Sequence, residues 1–290
     1  MIAAGALLFD QAHPLPRRLM SSPLLSASRP WDAEFTEDTG RGRVALAAFF
    51  LGAVFGCSLL MLAVISSAAP FFAYMAMLSA FHMCEYLLTA AFRPDTLNFD
   101  NFLLNHSTVY QVMISLSWVE YWLEYELAPS RKCWGTISTA GLLLSLLGLG
   151  TRIIAMSTAS SNFSHIIEEE QRPEHQLVTR GVYSCLRHPA YFGYFWWAVG
   201  TQAAVVHHGR SPSSPHAPRR APMQVLLANP VCVCAYAVAS FLFFRHRIPY
   251  EEHFLVRFFG EEYLRYRERT WIGIPGISST RPGELWATDS

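Results

Sequence analysis

The sequence predicts an all-α fold, a polytopic integral membrane bundle of about six transmembrane helices with a cytosolic C-terminal catalytic region. Three observations predict it. Hydrophobic residues fill 52% of the 290 positions and charged residues only 15%, against about 25% charged in a soluble domain. Five stretches, residues 44–69, 70–92, 133–151, 189–206 and 221–244, are long and apolar enough to cross a bilayer, which takes about 20 residues per helix. With a cytosolic N-terminus and six spans, all 22 basic residues except Arg131, Lys132, Arg210, Arg219 and Arg220 fall on the inner side, as the positive-inside rule requires.

The elements follow in order. Residues 1–43 are rich in Pro, Ser and Arg, with only residues 2–9 apolar. That run is too short for a span and lacks the basic start of a signal peptide, so this arm is expected to be poorly ordered. The first two spans meet at residues 66–70 as a tight helical hairpin. The second carries only Glu85, beside His82. Residues 102–121 form the sixth candidate, interrupted by Asn105, His106, Gln111 and Glu120, and the topology alternates only if it is counted. The polar groups within these spans are expected to bond helix to helix. Residues 44–155 thus read as scaffold and residues 156–290 as the catalytic region, with a disordered lumenal insert at about residues 205–224. After Arg245 the tail alternates charged residues with Phe254, Leu255, Phe258, Phe259, Tyr263 and Leu264, a pattern suited to amphipathic surface helices broken at Gly260.

Composition also excludes classes. Formal net charge is zero, which gives no footprint for nucleic acid or an acidic partner. The six cysteines are scattered without CxxC or Cys/His zinc spacing and read as small core residues, with no metal site expected. The sequence contains no P-loop, nucleophile elbow, HExxH or Gly-rich loop after a strand, so a nucleotide-like cofactor would not sit on a Rossmann domain. The sequons at Asn105 and Asn162 read as incidental, one at a span and the other on the cytosolic side.

Three polar clusters flank the apolar spans: His175-Gln-Leu-Val178 with Thr179-Arg-Gly-Val-Tyr183, Arg187-His-Pro-Ala-Tyr-Phe-Gly193, and Arg245-His-Arg247-Ile-Pro-Tyr-Glu251-Glu252. Charges at a membrane edge are costly unless paired or functional. Edge anchoring accounts for Arg187 and Arg247 but leaves His188, Tyr191 and Glu251 unexplained. Pro189 suits the first turn of a helix. Arg247 and Glu251, four apart, share a helical face, and Pro249 between them predicts a kink or restart.

These stretches resemble the isoprenylcysteine carboxyl methyltransferases of the endoplasmic reticulum, from about Arg43 to Pro275. RHPxYxG at Arg187 with a downstream R-x-x-x-EE at Arg247 is shared by a wider set of membrane methyltransferases. FLLNHS from Phe102, SNF from Ser161, GTQ from Gly200, NP at Asn229 and FFGEEYL from Phe258 are narrower. The resemblance implies methyl transfer from S-adenosylmethionine to the C-terminal carboxylate of a farnesylated or geranylgeranylated cysteine, as on small GTPases, at the cytosolic face of the endoplasmic reticulum membrane. It assigns cofactor contacts to His175, Gln176, Leu177, Val178, Tyr183, His188, Pro189, Ala190, Tyr191 and Glu251, with Glu168 a further polar contact. It makes Arg247 the residue that orients the substrate carboxylate, with Glu252 and Arg187 second-rank. A phospholipid N-methyltransferase shares the cofactor and RHPxYxG, but needs no arginine for a carboxylate. Two departures stand out: residues 1–43 do not supply the two further spans common in animal relatives, and residues 205–224 replace a short turn.

Overall fold

The computed structural model describes residues 34–37, 40–105, 107–127, 136–204 and 230–277, so the insert at 205–224 and most of the N-terminal arm lie outside the described residues. Helix α1 (Arg41–Val64) begins three residues before the expected boundary at 43/44. The start follows capping rather than apolarity, because the Glu34 carboxylate accepts the Arg41 backbone N–H at 2.8 Å. Its outer face is apolar and uncovered, with Phe49 76% exposed. An apolar surface of that kind suits lipid rather than water. A 3₁₀ turn at Ser66–Ala68 closes the expected hairpin into α2 (Ala69–Phe92), which carries Pro70 in its first turn.

The third span starts later than predicted. Asn98 and Asn101 form a capping box around a 3₁₀ turn at Phe99–Phe102, and Leu103 then adopts a left-handed conformation (φ 56°) that stops it. Ser107 Oγ accepts the Tyr110 N–H at 3.1 Å, starting α3 (Thr108–Leu127) six residues beyond the expected Phe102. Glu120, the interruption within this helix, accepts the Cys232 backbone N–H at 3.1 Å, in the first turn of the last long helix. The carboxylate therefore serves a helix N-terminus.

Helix α4 (Thr136–Ala159) runs eight residues past the expected end at Thr151. Arg152 does not terminate it, because Glu85 of α2 neutralises the guanidinium through a hydrogen bond to Nε and another of 2.8 Å to Nη2. Helix α5 (Pro189–Ala204) packs against α4 through small residues. A Cβ added to Gly148 would lie 2.4 Å from the Trp197 backbone nitrogen, and one on Gly200 would lie 2.6 Å from that of Ser145. Only glycine permits this approach.

The largest departure is at the C-terminus. A span ending at Phe244 and a separate surface helix are replaced by one helix, α6 (Pro230–Phe259), unbroken through Pro249. Proline removes one backbone hydrogen bond, but Phe244 and Ile248 are buried on the near side and Glu252 on the far side, so packing keeps both halves helical. The break at Gly260 is present (φ 52°), and α7 (Glu261–Arg269) follows. Arg187 N donates to Trp271 O at 2.7 Å and Trp271 N to Cys185 O at 2.9 Å, tying the loop before α5 to the tail. Among the described residues there is no strand beyond this isolated bridge. Four helical stretches, Glu34–Val64, Ser66–Phe92, Ser138–Asn162 and Val231–Phe259, are long and apolar enough to cross a membrane.

Candidate active site

The segment between α4 and α5 is irregular, and polar contacts hold its path. Asn162 Oδ1 accepts the Gln176 N–H at 2.9 Å, and Arg172 Nη2 donates to Ser161 O at 3.2 Å. Glu168 receives Arg93 Nη1 and Arg172 Nε, each at 2.9 Å. Burial alone would raise the Glu168 carboxyl, but the bonds and charges of Arg172 and Arg93 outweigh it and hold the pKa below the usual value.

This path brings the first two sequence clusters together. Glu168, His175, Gln176, Leu177, Val178, Tyr183, His188, Pro189, Ala190, Tyr191 and Glu251 all line one cavity of about 130 Å³, floored by Phe254, Leu255, Phe258 and Phe259 of α6. Arg187 also reaches its wall. The His175 ring sits 5.3 Å from Phe259 and 5.8 Å from Phe258, and its buried Nδ1 has no hydrogen-bond partner among the described residues. Burial, partly opposed by Glu168, lowers the His175 pKa. Burial, reinforced by the Glu251 charge, pushes the Tyr183 phenol well above its ordinary value, so it stays protonated.

The two adjacent carboxylates, which the sequence leaves hard to tell apart, have different surroundings. Glu252 is 3% exposed; its Oε1 accepts Arg187 Nε at 3.0 Å and lies 3.2 Å from His188 Nε2. Arg187 Nη1 also donates to the carbonyls of Arg267, at 2.8 Å, and Thr270. Glu252 and Arg187 thus clamp α6, α7 and the loop before α5. The Glu251 side chain, 29% exposed, faces the cavity instead and lies 3.8 Å from His188 Nδ1. Its Oε2 accepts the Tyr191 hydroxyl at 2.5 Å. The Tyr191 ring stacks on His188 at 5.4 Å and 7°.

Tyr191 also links the two cavities. Its oxygen accepts Arg247 Nε at 2.9 Å, while Arg247 Nη2 donates to the His165 carbonyl at 2.6 Å. Arg247 lines a second cavity of about 860 Å³, shared with Leu88, Phe92, Met113, Met156, Tyr236 and Phe243 among others. Tyr191 belongs to the walls of both cavities. The expected proximity of Arg247 to Glu251 is therefore real but indirect, running through one phenol.

Sequence reasoning missed several residues here. Glu85 and His82 were expected to bond between helices. His82 does, with Nδ1 2.7 Å from Phe102 O and Nε2 2.9 Å from the Tyr110 hydroxyl. Glu85 does too, through Arg152 of α4, and it also binds His165 Nε2 at 2.7 Å, beside the larger cavity, a contact the sequence did not signal. Arg152, read as part of a cytosolic loop, lies within α4 and lines that cavity. The available signal was one acid in α2 and one base ending the next long apolar run. Among the described residues no group of three His, Cys, Asp or Glu side chains is arranged to hold a metal ion.

Apolar helices long enough to cross a membrane, around two adjoining cavities that charged side chains line, fit an integral membrane enzyme. The chain belongs to the isoprenylcysteine carboxyl methyltransferase family and is a methyltransferase. The description "Isoprenylcysteine carboxyl methyltransferase (ICMT) family" matches residues 141–210, which contain most of α4, the irregular segment and α5. The chain is 42% identical over 239 residues to protein-S-isoprenylcysteine O-methyltransferase of Xenopus laevis, covering 82% of this chain and 75% of that protein. It is 42% identical over 241 residues to that of Homo sapiens, with coverages of 83% and 77%. Among solved structures it resembles a eukaryotic intramembrane Ras methyltransferase, with TM-score 0.74, 34% identity and coverages of 86% and 81%.

Proposed function

We propose that the chain esterifies the C-terminal carboxylate of a prenylated cysteine with a methyl group from S-adenosylmethionine, at the cytosolic edge of the endoplasmic reticulum membrane. The observation that carries this reading is the state of Arg247. Its guanidinium is held by two neutral acceptors, Tyr191 Oη and His165 O, and pairs with no carboxylate among the described residues. A half-buried cation oriented in this way, facing an 860 Å³ cavity whose wall carries an apolar group of Leu88, Phe92, Met113, Met156 and Phe243 among polar residues, suits an anion carried on a lipid tail.

The smaller cavity suits the cofactor. Its lining combines His175 Nδ1, which makes no hydrogen bond among the described residues and lies 3.7 Å from Glu168 Oε2, with Gln176, the Tyr183 phenol, the Glu251 carboxylate and an apolar floor. That mixture matches an amino acid end, ribose hydroxyls and an adenine. When bound, S-adenosylmethionine supplies an electrophilic methyl group. In this reading Glu251 accepts hydroxyl or ammonium protons, while Leu177, Val178, Pro189 and Ala190 form the wall. Glu168 acts as a brace, since Arg93 and Arg172 already occupy its oxygens.

No general base is needed. An α-carboxyl has a pKa of about 3.3–3.7, so the nucleophile is ionised at neutral pH. Arg247 orients it and keeps it ionised, and the bound prenyl chain would displace water whose solvation would oppose loss of its charge. Arg247 and Glu251 meet at one phenol, so the carboxylate and the methyl donor would approach from opposite sides of Tyr191. The prenyl chain enters from the lipid, each buried methylene contributing about 0.8 kcal/mol. Partners in this reading are farnesylated or geranylgeranylated protein C-termini, such as those of small GTPases, and membrane lipid. Six passes with a cytosolic N-terminus complete it, supported by the arginine distribution.

The test uses membranes carrying the full chain, a labelled methyl donor and a farnesylated cysteine analogue. Methyl ester should form with wild type and fall at least about 100-fold with Arg247→Ala. Ester formation unchanged by Arg247→Ala would refute the carboxylate assignment, and wild type that binds no methyl donor would refute the cofactor assignment.

A further inference from the structure

Both anchors that orient Arg247 trace back to one buried carboxylate on a different helix. The first anchor is the His165 carbonyl, 2.6 Å from Arg247 Nη2. The ring of the same His165 places Nε2 2.7 Å from Glu85 Oε2. The second anchor is the Tyr191 hydroxyl. The residue before it, Ala190, gives its carbonyl to Arg152 Nη1 at 3.1 Å, and Arg152 Nε and Nη2 both donate to Glu85. Glu85 is 1% exposed and Arg152 5%, and the Arg152 guanidinium lies 5.6 Å from the ring centroids of both Phe81 and Tyr194. Helix cohesion alone asks for one Glu85–Arg152 pair. It does not explain why each partner continues toward an opposite support of Arg247.

We infer that Glu85 is a positioning residue for methyl transfer: a carboxylate on α2 that fixes the Arg247 guanidinium through His165 on one side and Arg152, Ala190 and Tyr191 on the other. It touches neither the substrate nor the cofactor in this arrangement. Its effect is geometric, because a guanidinium displaced by about 1 Å forfeits alignment that can be worth about 100-fold in rate. The residues that build the methyl-transfer site therefore include α2, which the family-matched segment at residues 141–210 does not contain. The inference rests on the reading that Arg247 meets the substrate carboxylate.

A double-mutant cycle in the full-length protein tests it, since residues acting through one another give non-additive losses. Glu85→Gln should lower kcat/KM for a farnesylcysteine analogue about tenfold or more in the wild-type background, but less than about threefold in an Arg247→Lys background. Binding of S-adenosylhomocysteine should be unchanged by Glu85→Gln. If Glu85→Gln does not accumulate in membranes, His165→Ala takes its place in the same cycle, with the same expected non-additivity. Equal fold losses in the two backgrounds, no loss in wild type, or parallel loss of S-adenosylhomocysteine binding would overturn the inference. Wild-type activity in Arg247→Lys alone would instead overturn the Arg247 reading on which it stands.

Discussion

Two charge clusters lie side by side on α6 and differ in completeness. In one, Arg187, Glu252 and His188 are all under 10% exposed and bond to one another and to the backbone of the tail, with Glu252 Oε2 buried and without a hydrogen-bond partner among the described residues. In the other, Arg247, Tyr191 and Glu251 form an open chain whose two ends face different cavities. A single position separates Glu251 from Glu252, yet the helix turns one toward the 130 Å³ cavity and the other into the protein. The closed cluster holds the C-terminal helices together. The open one retains charge for something not supplied by the chain.

The contrast can be broken at either end. The largest effect is expected from Arg247→Ala, with at least about 100-fold loss of methyl ester formation and little change in thermal stability in detergent. Arg187→Ala should do the reverse in kind: it leaves Glu252 buried and without its cation, costing about 3–5 kcal/mol, visible as a lower melting temperature and less folded protein. Glu251→Gln should weaken S-adenosylhomocysteine binding about tenfold, one charge-assisted bond at about 1.5–3 kcal/mol, with folding preserved. Tyr191→Phe removes the link, two hydrogen bonds to charged partners, but leaves both charges, and a loss of about tenfold in kcat is expected, each bond to a charged group contributing about 1.5–3 kcal/mol.

The smallest effect concerns pH. His175 has its pKa lowered by burial, so below about pH 6.5 the unfolded chain takes up a proton that the folded chain refuses. Stability therefore falls as pH drops through that value, until the lower folded pKa is reached. His175→Gln should flatten the slope of melting temperature against pH just below about 6.5.

The residues lining the smaller cavity were legible in the sequence because they sit in short local runs, 175–178, 183 and 187–191, beside a helix start that Pro189 announces. It did not reveal Glu85–Arg152, because the partners are 67 residues apart and nothing local marks the pair. Counting apolar residues misplaced the ends of helices: Ser107 sets the start of α3 by capping, and Arg152 continues α4 because its charge is neutralised. Pro249 predicted a kink or a restart; the helix does not restart, because burial of Ile248 and Glu252 keeps it continuous. The boundary drawn at residue 155 between scaffold and catalytic region is crossed by the larger cavity, whose wall includes Arg93, Tyr110 and Arg152 as well as Arg247.

The central claim is that Arg247 receives the substrate's carboxylate, and the most direct measurement compares farnesylcysteine with its uncharged carboxamide as competitors. In wild type the acid should bind at least about tenfold more tightly, a difference of about 1.4 kcal/mol, and in Arg247→Ala the ratio should collapse to near one. A preference for the acid that persists undiminished in Arg247→Ala would contradict the account.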